Sequence, residues 1–233
     1  MFNVRKPYKL LYPKIIIDVE NNKYNIVKIG NQLLTMENWR CTKYMCGTSI
    51  VHVTDNTAWS NSTTPAYCWH SGVDTDELKA KYGALYNWYV VDPENPHDIA
   101  PDGWRVPTDE DWDVLRDYLI ANGYNWDGTT TGNKIGKALA SSGGEWGTHA
   151  TEGRVGNNQG SNNSSGFSAL PGGCRGSSGY FYTQSLRGNW WSATEDAASN
   201  TWLRILDYHH ESLLRVSYDN KGCGFSVRLV KDI

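Results

Sequence analysis

Phenylalanine is scarce in this chain: four residues against 14 tyrosines and 11 tryptophans. Its aromatic weight therefore rests on rings that pack with one end and hydrogen-bond with the other, as in irregular folds and binding surfaces. No stretch approaches the roughly 18 consecutive apolar residues of a membrane span, so direct membrane insertion is not expected. No basic stripe is present and the net charge is −3, which argues against nucleic acid as a partner. Zinc-knuckle spacing is missing too: Cys41 and Cys46 are too far apart, and no second pair completes a site. The five cysteines, with Cys68, Cys174 and Cys223, form an odd set that reads as free thiols of a reducing compartment. A disulfide among Cys41, Cys46 and Cys68 is the alternative. No repeat of 20–50 residues is visible. Residues 1–14 form a polar arm without the apolar run of a secretory signal before Ile15-Ile16-Ile17. A cytoplasmic or phage-virion address is expected on that ground, with the cell surface left open.

What is present suits one α+β domain over residues 15–233. Residues 15–18, 24–29 and 32–36 alternate as short strands, with turns at Asn21-Asn22 and Gly30-Asn31. Residues 42–65 are rich in Thr, Ser and Asn and read as loop. A first helix is predicted over 74–91, capped by Thr75, with Leu78, Tyr82, Leu85, Trp88 and Tyr89 near one face. A proline-rich segment ends it. Thr108 caps a second helix, with Asp111 three residues on as a short capping box and Trp112, Leu115, Tyr118 and Leu119 as its apolar stripe. Gly123 stops that helix, and residues 133–140 suggest a short third one. Residues 145–165, rich in Gly and Asn, read as a long loop.

The last fifth of the chain organises the rest. Residues 189–194, 201–208, 213–218 and 224–230 each alternate and are bounded by Gly, Asn, Asp or Ser. In the second of these, Trp202, Leu206 and Tyr208 fall on one face, the face suited to a core. Leu203, Ile205 and Asp207 fall on the other, followed by His209 and His210. That second face has no obvious packing or solubility logic and reads as a display surface.

Several word-like pieces stand in order along the chain. They are Val27-Lys28-Ile29-Gly30-Asn31-Gln32 with Met36-Glu37-Asn38; Tyr82-Gly83-Ala84-Leu85-Tyr86-Asn87-Trp88; Gly103-Trp104-Arg105-Val106-Pro107-Thr108-Asp109-Glu110-Asp111-Trp112; Gly166-Phe167-Ser168-Ala169-Leu170-Pro171-Gly172-Gly173; Trp190-Trp191-Ser192-Ala193-Thr194-Glu195; and Gly224-Phe225-Ser226-Val227-Arg228. Over about residues 20–233 the chain resembles the Fibrobacter major paralogous domain, a branch of the C-type-lectin-like fold related to formylglycine-generating enzymes. The resemblance implies two main helices against small antiparallel sheets, long loops, and a second sheet made by the C-terminal strands.

It also implies kinship with variable proteins diversified by retroelements, which end in a C-type-lectin-like domain whose C-terminal strands and loops carry the diversified residues. In those proteins adenine mutagenesis of asparagine codons excludes Trp, Lys, Glu, Gln and Met. Within the expected variable region, residues 174–230, the outward set is Ser177, Ser178, Tyr180, Tyr182, Leu186, Arg187, Leu203, Ile205, Asp207, His209, His210, Leu213, Ser217, Tyr218, Asp219, Gly222 and Cys223. Every one is reachable from an asparagine codon. The interleaved framework Trp190, Trp191, Glu195, Trp202, Glu211 and Lys221 contains the excluded types.

Other chemistries have weaker support. Neighbouring strand residues point to opposite faces, so His209 and His210 do not converge on one ion. Cys223 lies where related oxidases keep a reactive cysteine, with Cys174 as the sole candidate partner and Lys221 as the sole local cation to activate it. The calcium-lectin pattern Glu-Pro-Asn is absent, and Asn157-Asn158 and Asn162-Asn163 read as polar loop. Trp104, Trp112, Trp190, Trp191 and Trp202 are expected in the core. The resulting expectation is a non-enzymatic module without cofactor or metal that binds a protein or glycan through its C-terminal surface. An oxidase and a purely structural module of a cell-surface or virion assembly are the alternatives.

Overall fold

The computed structural model describes residues 12–197, 200–218 and 220–233, Tyr218 by its backbone alone. Residues 1–11 of the N-terminal arm and Asp219 of the outward set lie outside the described residues.

The architecture is mixed, with several small sheets and few helices. β1 (Ile15–Ile17), β2 (Lys23–Ile29) and β3 (Gln32–Thr35) form an antiparallel meander, with Ile29 opposite Gln32. Gly30 takes φ +60° in the two-residue loop between β2 and β3, and a Cβ there would meet the Tyr118 ring at 2.8 Å. Glycine is thus required twice over, by backbone and by space. Asn21 turns the first pair at φ 64°. The Asp18 carboxylate fastens that turn by accepting from Glu20 N, Asn22 N and the Tyr24 hydroxyl.

The segment read as loop over 42–65 contains β4 (Val51–His52) and the single-turn helix α1 (Asn56–Ser60), which Asp55 caps. β4 pairs with β5 (Ala66–Cys68), and β5 with β6 (Leu85–Tyr86). The helix predicted over 74–91 is broken. α2 (Asp76–Tyr82) is capped by Thr75 as expected but buries none of its residues, and the chain leaves it at Gly83 with φ +75°. A Cβ at Gly83 would lie 2.5 Å from Asn38 Cβ. Leu85 is therefore a strand residue, and Trp88 begins the one-turn α3 (Trp88–Val91).

α4 (Asp109–Ala121) has the reciprocal Thr108–Asp111 capping box, and it buries Trp112, Leu115 and Leu119. Tyr118 is more exposed than its place in the stripe implies, because it lies over the Gly30 turn. α5 (Gly136–Leu139) is one turn long. The 145–165 segment holds only a short 3₁₀ turn, and its asparagines bind backbone: Asn162 Nδ2 donates to Ser141 O and Val155 O.

β7 (Cys174–Arg175) pairs with β8 (Phe181–Tyr182). β9 (Arg187–Ala197), β10 (Asn200–Asp207) and β11 (Leu214–Tyr218) form a second antiparallel sheet with β10 central. The strand predicted over 224–230 is a single extended path with changing partners: Gly224 bridges Arg175, Phe225 bridges Tyr86 and Ser226 bridges Trp190. Its alternation is real, but each residue serves a different element, and only β12 (Val230–Asp232) joins a ladder, beside β3.

The β9–β10 sheet separates two cores. Trp191 and Leu203 enter one with Trp39, Tyr86, Trp88 and Phe225. Trp190, next to Trp191 in the chain, and Leu206, three residues beyond Leu203, enter the other with Trp112, Leu119, Phe167 and Leu213. The period of two along a strand sends adjacent tryptophans to opposite sides. Their indole N–H groups are satisfied: Trp190 donates to Asn38 Oδ1 at 2.9 Å and Trp191 to Tyr86 O at 2.7 Å. Trp104 and Trp202, expected in the core, are only half-buried. Trp202 lies under the Arg215 guanidinium, 3.3 Å from its ring centroid.

Arg228 is fully buried and has no carboxylate within ion-pairing distance among the described residues. Its guanidinium donates to Asn38 Oδ1, Thr35 O, Phe167 O and Ser168 O and lies over the Phe167 ring. Five fixed donors suit one cation to several oxygens on separate loops.

Candidate functional site

The two hairpins of the C-terminal region enclose a pocket of about 560 Å³. One wall is the β10–β11 ladder. Leu203 pairs with Val216 and Ile205 with Leu214, so four aliphatic side chains share a face. β9 continues that face with Asn189 opposite Ile205 and Arg187 opposite Asp207. The opposite wall is Cys174, Gly176, Tyr182 and Thr183, and Cys223 and Phe225 complete the lining. The four aliphatics are graded in depth: Leu203 is 1% exposed, whereas Ile205, Leu214 and Val216 are half-buried.

Arg175 holds the β7–β8 wall in place. It is fully buried between the Trp59 and Phe181 rings. It donates to Gly179 O across its own turn and to Val53 O, Thr54 O and Asn56 Oδ1 of the segment leading into α1. Gly176 lets the Tyr182 ring approach, since a Cβ would stand 3.0 Å from Tyr182 Cε2.

The polar groups of the pocket are already engaged. Arg187 pairs with the buried Asp207 carboxylate. Asn189 Nδ2 donates to Gly173 O at 3.1 Å. Thr183 Oγ1 lies 3.8 Å from Cys174 Sγ. Burial pushes the Cys174 thiol above its ordinary pKa, outweighing the lowering by Thr183 and Arg187. That thiol is thus poorly suited to nucleophilic work. The five cysteines form no disulfide among the described residues. No group of three or more His, Cys, Asp or Glu side chains among the described residues is placed to hold a metal ion.

The structure divides the predicted outward set. Tyr182, Arg187, Leu203, Ile205 and Cys223 come together around the pocket. Tyr180, 60% exposed, and Ser178 stand on the tip of the β7–β8 hairpin, with Ser177 beside Gly222. Leu186 is exposed next to Gly147, away from the pocket lining. His209 and His210 are half-buried, their rings 4.6 Å apart in a cluster with Tyr208. His209 Nδ1 abuts Asp207 without the alignment of a hydrogen bond.

Four residues of that set are interior, which corrects the reading of them as outward. Leu203 faces its cross-strand partner Trp191 in the first core. Leu213 packs in the second core, its backbone bound on both sides by the Asn133 amide. Asp207 is sealed beneath Arg187, and Cys223 is buried in the first core near Phe225. Ser217 is a fifth correction. β11 begins at Leu214, so its even residues face the pocket and Ser217 lies on the Trp202 side, bonded to Asp196.

Sequence reasoning missed Leu214, Val216, Asn189, Thr183 and Phe225 as lining residues. For Leu214 and Val216 the signal was present as alternation, read with the wrong parity. For Phe225 no local pattern exists, because its bridge partner Tyr86 is distant in the chain.

A family model for the Fibrobacter succinogenes major domain matches residues 27–231 of this chain. No curated protein and no solved structure matches it.

Proposed function

The chain belongs to the Fibrobacter succinogenes major domain family, and from that premise we propose that it is a non-enzymatic module whose C-terminal pocket binds an apolar side chain of a protein partner. The observation that carries this reading is that Ile205, Leu214 and Val216 lie half-open beneath Tyr182, which is 49% exposed, with Leu203 sealed at their base. Apolar surface half-open to water gains on the order of 25 cal/mol per Å² when a ligand covers it. Tyr182 and Tyr180 offer rigid contact area at low entropy cost. A glycan is the weaker reading, because Arg187 and Asn189 already have partners and the four aliphatics give sugar hydroxyls nothing to bond. The test is a paired peptide and glycan array probed with the wild-type chain and with L214K. Peptide binding lost in L214K supports the reading; glycan binding indifferent to L214K opposes it.

We further infer a C-type-lectin-like fold and, for residues 174–230, the role of a variable region diversified by a retroelement. Support comes from Ser178, Tyr180, Tyr182, Leu186 and Arg187, which are exposed, whereas Leu203, Asp207, Leu213 and Cys223 hold the interior and fall outside the group free to vary. Variation would be tolerated at the first group and purged from the second. Sequencing the encoding locus decides it: a near-identical template repeat beside a reverse transcriptase gene supports the reading, and absence of both removes it.

A further inference from the structure

A second pocket, sharing no lining residue with the first, is built around a buried cation. Lys137 on α5 is 9% exposed. Its ammonium donates to Asn157 O and Asn158 O, and no carboxylate lies within ion-pairing distance of it among the described residues. An ammonium has three N–H donors, and two carbonyls leave one over. Burial pulls its pKa below the ordinary lysine value, and desolvation is the sole cause. The site thus carries the desolvation cost of a charge without a counter-charge to offset it.

Lys137 lines a polar pocket of about 460 Å³ together with residues 122–126, Ser161 and Ser164. Ser161 Oγ donates to Asn158 O at 2.9 Å, the same carbonyl that the ammonium reaches at 3.3 Å. Lys137 and Ser161 therefore meet at the pocket wall through one shared carbonyl. Trp126 forms part of the lining and is fixed from behind, its indole N–H on Glu211 Oε2 and its ring against Gly153. The nearby carboxylates are committed elsewhere, Glu211 to that indole and Asp127 to Lys134.

We propose that this pocket is an oxyanion site, taking a carboxylate or phosphate group of a small ligand against the Lys137 ammonium and the Ser164 hydroxyl. The anion supplies the missing counter-charge and accepts the spare N–H, and charge-assisted hydrogen bonds of this kind are the stronger class.

The experiment is a ¹H–¹⁵N NMR titration of the full chain with inorganic phosphate and, separately, with acetate, at constant ionic strength held by chloride. Saturable shifts at the Ser161, Ser164 and Ala138 amides with either anion are expected, and the anion that saturates at lower concentration identifies the preferred group. K137M is expected to weaken the affinity at least about tenfold, since it removes a charge-assisted partner. Because K137M also removes the bonds that hold Asn157 and Asn158, the variant S164A gives an independent reading, expected severalfold weaker with the fold intact. Linear, non-saturating shifts with both anions, or affinities unchanged in S164A and in a folded K137M, overturn the proposal.

Discussion

Leu203 and Val216 are direct cross-strand partners on one face of the C-terminal sheet, yet Leu203 is sealed in the core while Val216 stands half-open at the pocket. Structure and recognition meet between these two side chains. The inner residue of the pair anchors the sheet to Trp191 and Phe225, and the outer one is available to a ligand.

The first expected outcome follows from that gradient. L203A removes a fully buried side chain and leaves a cavity, at about 2–5 kcal/mol. V216A, on the edge strand and partly solvated already, costs under about 1.5 kcal/mol. Urea unfolding of both variants checks this, and equal losses would contradict the assigned depths.

Asn38 is the second point of leverage. Its Oδ1 accepts from both Trp190 Nε1 and Arg228 Nε, and its Nδ2 donates to Tyr82 O, so one amide joins the first hairpin to the two C-terminal framework segments. R228M leaves four buried oxygens short of a donor and is expected to cost at least about 3 kcal/mol. A double-mutant cycle with N38A should show coupling of about 1–3 kcal/mol, because the residues share one network. Additive effects would mean that the network is not shared.

Asp109 sets an acid limit. Burial pushes its carboxyl up, but hydrogen bonds and charge from Arg215 and Arg204 outweigh this and hold its pKa below the ordinary 3.8. A carboxylate lowered in the folded state contributes stability that is fully present above the unfolded value and is lost as pH falls through the folded one. D109N, which strips the buried Arg204 of one partner, is expected to cost about 3 kcal/mol at pH 7. The gap to wild type should narrow below pH 3.8, as thermal melts across pH 2–7 would show. A gap constant with pH would exclude the assigned role of the charge.

Thiol reactivity should be unequal. Cys46 is exposed, its pKa lowered by hydrogen bonding with the Thr48 side chain and backbone, with His97 Nδ1 at 3.6 Å. Burial raises Cys41 and pushes Cys68 up to about 12. Iodoacetamide at pH 7.5 is expected to alkylate Cys46 first, and T48V to slow that step about threefold. Peptide mass spectrometry after timed quenching reads both.

The fold was legible where one short pattern carries its own physics. The Thr108–Asp111 capping box starts α4, and the Gly30-Asn31 pair turns the hairpin, each needing only local chemistry. Alternation in β10 divides its residues between two faces, but the face that reads as a display surface is covered as well, because Trp190 and Trp191 open a core on each side of the sheet. The chain leaves α2 at Gly83, a break that the apolar spacing across 74–91 conceals. The parity of β11 depended on where the strand begins, and the Leu213–Asn133 contacts that set this lie 80 residues apart in the chain. The buried Arg175 that fixes the pocket wall looks, in sequence, like any charged residue among glycines.

The function proposed for the C-terminal pocket depends on whether the aliphatic ladder receives a ligand. The most direct measurement is selection of peptides from a random library on the wild-type chain, followed by calorimetric titration of the tightest one against wild type, L214K and Y182A. An apolar anchor in the selected peptides is predicted, with affinity at least about tenfold weaker in both variants, as for central interface residues. Equal affinity for all three proteins, or peptides that compete with each other but leave the methyl resonances of Ile205, Leu214 and Val216 unmoved, would contradict it.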